Sequence, residues 1–280
     1  MIYIKYIHYS VGLFIIIKIF ERKYFKNQNE QYNDEVIGIS FEPVDPKLIG
    51  ISFGPTGALF SYQLGIAKYI QETFILKDLC FAGISGGVQS GYVLSLNISI
   101  DNVFDEWISK WIYEINSNNY YIPYLYIFDT AKTHLRIFNN KNNINLSKLN
   151  HKLFIGITSL EPFPCSLIKN KWDNFNNLYD SLKASQYIPF LFGLPYFKIG
   201  NNYCIDGYIS NRQFEPIPGK WIHINMYDFK DIYKFQSLYI GLYNFINIFN
   251  IEFHRRQMKK GYDDAKNKHL FFTNNGLIEK

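Results

Sequence analysis

The 280-residue sequence predicts an α/β fold built on a mainly parallel sheet. Two observations carry that expectation. Short apolar runs rich in β-branched residues alternate with longer stretches whose apolar residues recur at helical spacing. The sharpest motif of the chain, Gly83-Ile84-Ser85-Gly86-Gly87, stands where one such run gives way to a helix. That strand–turn–helix setting is what a G-x-S-x-G nucleophile elbow requires.

Taken in order, Ile2 to Phe20 is largely apolar but interrupted by Lys5, His8 and Lys18. A helix of that length reaches about 28 Å, against about 30 Å of bilayer core. It reads equally as a membrane-associating anchor or as a packed element, and the polar stretch Glu21 to Glu35 reads as a link. Residues 1–36 are thus a hydrophobic segment with its linker, and 37–280 one domain. Gly38 to Pro43 echoes Gly50 to Pro55, which reads as two similar strands.

Leu48 to Phe53 is a buried strand, broken by Gly54-Pro55-Thr56-Gly57; Leu59, Tyr62, Ile66 and Ile70 then mark a helix. Leu79 to Ala82 is the next strand, and a helix runs from Gly86 to about Leu96. Asp101 is expected to cap a helix striped by Phe104, Trp107, Ile108, Trp111, Ile112 and Ile115. Asn116 to Lys148 reads as an irregular flap. Further strands are expected at Leu153 to Thr158, Tyr203 to Ile205 and Trp221 to Met226. Helices are expected at Phe175 to Ser185 and, as one or two pieces, at Ile232 to Tyr262.

Composition excludes several functions. The net charge is +5, and Lys and Arg are scattered except at Arg255 to Lys260, so no nucleic-acid-binding face is marked. A weak preference for anionic lipid headgroups is the most this charge supports. Three cysteines with no C-x-x-C pair argue against a disulfide framework or a zinc site, and point to an intracellular, reducing setting.

The elbow has a physical logic. A strained turn pushes the serine Oγ out of the sheet edge, and side chains at Gly83 and Gly87 would collide across it. The N–H of Gly86 and the new helix's positive end face a developing oxyanion. A hydroxyl also needs a base. None of the six histidines sits in a catalytic motif; His223 and His254 read as packing or surface residues. The alternative is Asp206, which follows the apolar strand Tyr203-Cys204-Ile205, with Gly207 allowing a tight turn. A Ser–Asp–His triad stays open through those histidines. A phosphate loop at Gly54 to Gly57 lacks the G-K-[ST] ending.

In their order these motifs resemble the patatin-like phospholipases, closest in pattern to the adiponutrin and adipose triglyceride lipase branch. The matching residues are Ser52 to Leu59, Gly83 to Gly87, Ala184-Ser185 with Pro189, Asp206-Gly207, and Gly261-Tyr262-Asp263-Asp264-Ala265. The resemblance implies a three-layer α/β/α fold and a serine ester hydrolase acting on lipids or phospholipids at a membrane surface. It implies Ser85 as nucleophile, Asp206 as base and no metal or organic cofactor. The N–H groups of Thr56, Gly57, Ala58 and Gly86 would form the oxyanion hole.

The chain departs from the family in the glycine-rich loop. Only Gly57 survives there; Pro55 has no N–H, and Phe60 stands where a glycine is expected. The departure supports an alternative, a catalytically weakened scaffold that binds lipid or a partner.

Overall fold

The computed structural model describes residues 49–118, 120–211, 213–226 and 243–280. The N-terminal anchor and linker, the strand expected at Gly38 to Pro43, and residues 232–242 of the expected late helix lie outside the described residues. Among the described residues, no helix is long and apolar enough to cross a membrane.

The centre is a seven-stranded sheet with the order β5-β6-β3-β2-β1-β7, and β4 also paired to β3. The strands are β1 (Ile49–Phe53), β2 (Cys80–Ile84), β3 (Leu153–Ser159), β4 (Cys165–Lys169), β5 (Phe197–Ile199), β6 (Asn202–Ile205) and β7 (Lys220–Ile224). The pairings β7–β1, β1–β2 and β2–β3 are parallel, whereas β4, β6 and β5 run antiparallel to their partners. The sheet is therefore mixed and parallel at its centre, flanked by helices. Strands β4 and β5 went unread in the sequence: β4 is mostly half-buried and β5 has only three residues.

Alternation decides what each face of β2 and β3 buries. Phe81, Leu153 and Ile155 point into the main core with the helices. Ala82, Ile84 and Phe154 point the other way, beneath Phe214, Ile217 and Trp221.

The helices are α1 (Phe60–Thr73), α2 (Val88–Leu96), α3 (Ile100–Val103), α4 (Ser109–Ser117), α5 (Ile127–Lys141), α6 (Phe175–Ser185), α7 (Ile251–Asn267) and α8 (His269–Asn274). A π-helical segment, Phe104–Ile108, joins α3 to α4. Two expectations need correction. The cap of α3 is Ser99, whose Oγ accepts from the Asn102 N–H at 3.4 Å, two residues before Asp101. The supposed flap contains a full helix, α5, which buries Ile127, Leu135 and Phe138. Those positions keep helical spacing, but the Asn- and Tyr-rich flanks disguised it.

Helices α1 and α7 cross on two glycines. A Cβ on Gly65 would lie 1.9 Å from the Met258 carbonyl, and one on Gly261 equally close to that of Tyr62. Tyr62 Oη also donates to Asp264 Oδ2 at 2.7 Å. This close backbone approach leaves no room for a side chain at Gly65 or at Gly261 of the Gly261 to Ala265 motif.

Candidate active site

Register brings the two key residues together. A strand has two edges, and β4 occupies one edge of β3 over Ile155 to Ser159. Strands β2 and β6 share the other edge, end to end. Strand β2 runs parallel, with Ile84 opposite Gly156; β6 runs antiparallel, with Ile205 opposite Thr158. The next residue of each strand, Ser85 and Asp206, therefore arrives at the level of Ile157 from opposite directions. There Ser85 Oγ donates to Asp206 Oδ2 at 2.7 Å.

Ser85 has φ +51, the left-handed region that L side chains rarely adopt. That strain costs on the order of 1–3 kcal/mol and aims the hydroxyl away from the sheet. The surroundings hold it there. The Ser85 N–H donates to Ser185 Oγ at 3.0 Å, and Ser185 Oγ donates to the Gly156 carbonyl at 2.6 Å. On the acid side, Asp206 Oδ1 accepts from the Tyr208 N–H at 2.9 Å, and the Asp206 carbonyl accepts from Thr158 Oγ1 at 2.8 Å. The Asp206 N–H donates to the Tyr187 carbonyl at 2.9 Å. Burial pushes the Asp206 carboxyl up to about 6, against the Tyr208 N–H and the Ser85 hydroxyl, which favour its ionised form. At neutral pH it is mostly ionised and has a proton affinity suited to a base.

The glycines act through close contact. A Cβ on Gly87 would sit 2.4 Å from the Phe53 carbonyl, and one on Gly83 2.6 Å from the Val88 Cα. A Cβ on Gly207 would lie 2.1 Å from the Gly156 carbonyl.

Of the four predicted oxyanion donors, Gly57 and Gly86 line a cavity of about 770 Å³ (open mouth included) shared with Ser85. Thr56 and Ala58 are not part of its lining. Gly57 and Gly86 are neighbours, since a Cβ on Gly86 would be 3.4 Å from the Gly57 nitrogen. Gly57 opens one 3-10 turn and Gly86 is the second residue of another, positions whose N–H groups have no intrahelical acceptor. Gly57 has φ +54, which explains why this glycine of the loop is retained. Phe60 is buried, forms part of the cavity wall and meets the His254 ring at a tilt of 35°, 4.7 Å between centroids.

The cavity is apolar on most sides, with Trp107, Trp111, Ile127, Phe128, Leu182 and Phe192 among its walls. Its polar groups include Gln89, hydrogen-bonded to Gln186 at 3.1 Å, and Lys183, which forms a 3.9 Å ion pair with Asp129. Neither histidine candidate serves Ser85. His254 Nε2 donates to the Ile248 carbonyl at 2.8 Å, so Nδ1 accepts from Ser61 Oγ at 2.9 Å. Burial lowers its pKa to about 4 and keeps it neutral. His223 pairs with Glu215 at 2.9 Å.

Sequence reasoning gave Ser185 no function. Its Oγ clips the elbow to β3, and Ala184-Ser185 with Pro189 was the available signal. The cavity walls come from separated segments that no local motif joins.

The family model of the patatin-like phospholipases matches residues 51–216 of this chain, from β1 through the Asp206 turn. The chain belongs to that family, a family generally of serine lipid hydrolases. No curated protein matches it.

Proposed function

We propose that the protein hydrolyses acyl esters of phospholipids or acylglycerols through a Ser85–Asp206 dyad and an acyl-enzyme. The observation that carries this reading is the 2.7 Å Ser85–Asp206 hydrogen bond at the wall of an apolar cavity. In acylation, Ser85 Oγ forms a bond to the ester carbonyl carbon while its proton passes to Asp206. The N–H groups of Gly57 and Gly86 hold the oxyanion. Collapse breaks the bond to the alcohol, which leaves with the proton from Asp206. Water then attacks the acyl-enzyme and gives a proton to Asp206. The second collapse frees the fatty acid and returns that proton to Ser85.

The motif set favours the adiponutrin-type branch, the unpaired cysteines favour an intracellular setting, and the net charge of +5 gives a weak preference for anionic membrane surfaces. The loop departure is compatible with turnover, because Gly57 keeps its donor and Phe60 contributes a wall. A fluorophosphonate probe tests the reading. Labelling of wild type and none of Ser85→Ala is expected. A folded but unlabelled wild type would instead favour the weakened lipid-binding scaffold.

A further inference from the structure

Three segments around the cavity are apolar on both faces. In the segment between α6 and β5, Ile188 and Phe192 line the cavity, while Phe190 and Leu194 are 60% and 67% exposed. In the segment before α7, Phe245 and Ile248 face in and Tyr243 and Ile246 are exposed. Before and at the start of α5, Ile127 and Phe128 face in and Ile122, Leu125 and Tyr126 are exposed.

The segment leading into α5 packs against each of the other two. Tyr124 Oη donates to the Phe245 carbonyl at 2.7 Å, and its ring meets Phe249 at 5.2 Å. Phe128 meets Phe192 edge-on at 4.8 Å. Residues 115–128, 184–197 and 243–251 contain no Asp, Glu, Lys or Arg. Contiguous exposed apolar surface of this kind marks an interaction site. Absence of charge together with Tyr, Phe and Leu is the composition that enters the headgroup boundary at least cost.

We propose that this rim is the surface on which the protein docks to aggregated lipid, with Phe190, Leu194 and Ile246 entering the acyl boundary. The occupant is a lipid surface rather than a protein, because the same three uncharged segments that carry these exposed residues also supply walls of the cavity that takes the acyl chain. A chain leaving the lipid would then pass directly from one apolar phase to another. The identification of that cavity rests on the acyl-hydrolase reading above; the docking itself is measured without turnover.

The test places tryptophan at Phe190 and, separately, at Ile278. Ile278 is 69% exposed but sits at the opposite end of the sheet, its carbonyl bonded to the Ile75 N–H just before β2. Full-length Ser85→Ala protein carrying each substitution is mixed with phosphatidylcholine vesicles that have brominated acyl chains. Phe190→Trp is expected to be quenched well beyond the parent, and Ile278→Trp is not. Equal quenching, or quenching at Ile278→Trp alone, overturns the proposal. So does a Phe190→Ser/Leu194→Ser variant that hydrolyses vesicle lipid at the parent rate. The expected result for that variant is at least about a tenfold loss on vesicles, with a water-soluble short-chain ester cleaved within threefold of wild type. If Phe190→Trp is quenched while wild type cleaves no ester, the docking face stands and the hydrolase reading falls.

Discussion

Two neighbouring strand-to-helix crossings build this site, and they solve the same geometric problem differently. After β1, the chain turns through Gly57 at φ +54; after β2, it turns through Ser85 at φ +51. Each then makes a short 3-10 turn and enters a helix. The first needs only a backbone N–H at the corner, so glycine occupies it without strain. The second needs a hydroxyl there, so a serine is forced into a conformation that glycine would hold freely. The crossings also pack backbone to backbone, because a Cβ on Gly86 would lie 2.9 Å from the Gly57 carbonyl oxygen. Loss of family glycines from the first loop and retention of the elbow follow from this division. The loop keeps the one glycine its dihedral angle demands; the elbow keeps every glycine that steric contact demands.

Substitutions can break that comparison, the hydroxyl first. Ser85→Ala is expected to lower kcat by at least about 10⁴-fold on a soluble ester, since no other group can form the acyl-enzyme. Asp206→Asn should cost about 10³–10⁴-fold, because the hydroxyl loses its base while its hydrogen-bond geometry survives. The same variant should gain about 1–3 kcal/mol of stability at pH 8 in urea unfolding. The sign follows from burial: a carboxyl raised in the folded state makes the wild type less stable as pH climbs from about 4 through about 6. The gain is therefore full above that window and gone below it.

The first crossing is tested next. Gly57→Ala should lose about 10²–10³-fold in kcat, as a strained corner misaims one oxyanion donor. Phe60→Leu should retain most activity, which separates the loop's backbone from its side chains. Ser185→Ala removes the clip on the elbow and leaves the Gly156 carbonyl and the Ser85 N–H short of a partner. About 1–3 kcal/mol of stability should go with it in denaturant titrations. Smallest, Ser85→Gly should unfold at higher denaturant than Ser85→Ala, by about 1 kcal/mol or less after glycine's own entropy cost.

The sequence was most readable where geometry is local. The elbow compresses its requirements into Gly83 to Gly87, and the Asp206 turn into two residues, so both stood out. The sequence offered Asp206 as one candidate base and only the resemblance chose it over the histidines, because the meeting with Ser85 depends on β2 and β6 sharing one edge of β3. Helix α5 was missed because Pro123 and its Asn- and Tyr-rich neighbours hid a normal apolar stripe. Ser185 gave no chemical signal of its own, since a serine inside a helix has many roles. The rim could not be read at all: its inward and outward residues separate only once three distant segments are folded around one cavity.

The most direct test of the dyad is the pH dependence of kcat/KM on a water-soluble ester. The account predicts a rise of tenfold per pH unit on the acid side that levels near pH 6, where the Asp206 carboxyl ionises. His223→Gln and His254→Gln should leave that limb in place. A limb absent from wild type, or one abolished by either histidine substitution with the fold intact, would contradict Asp206 as the base.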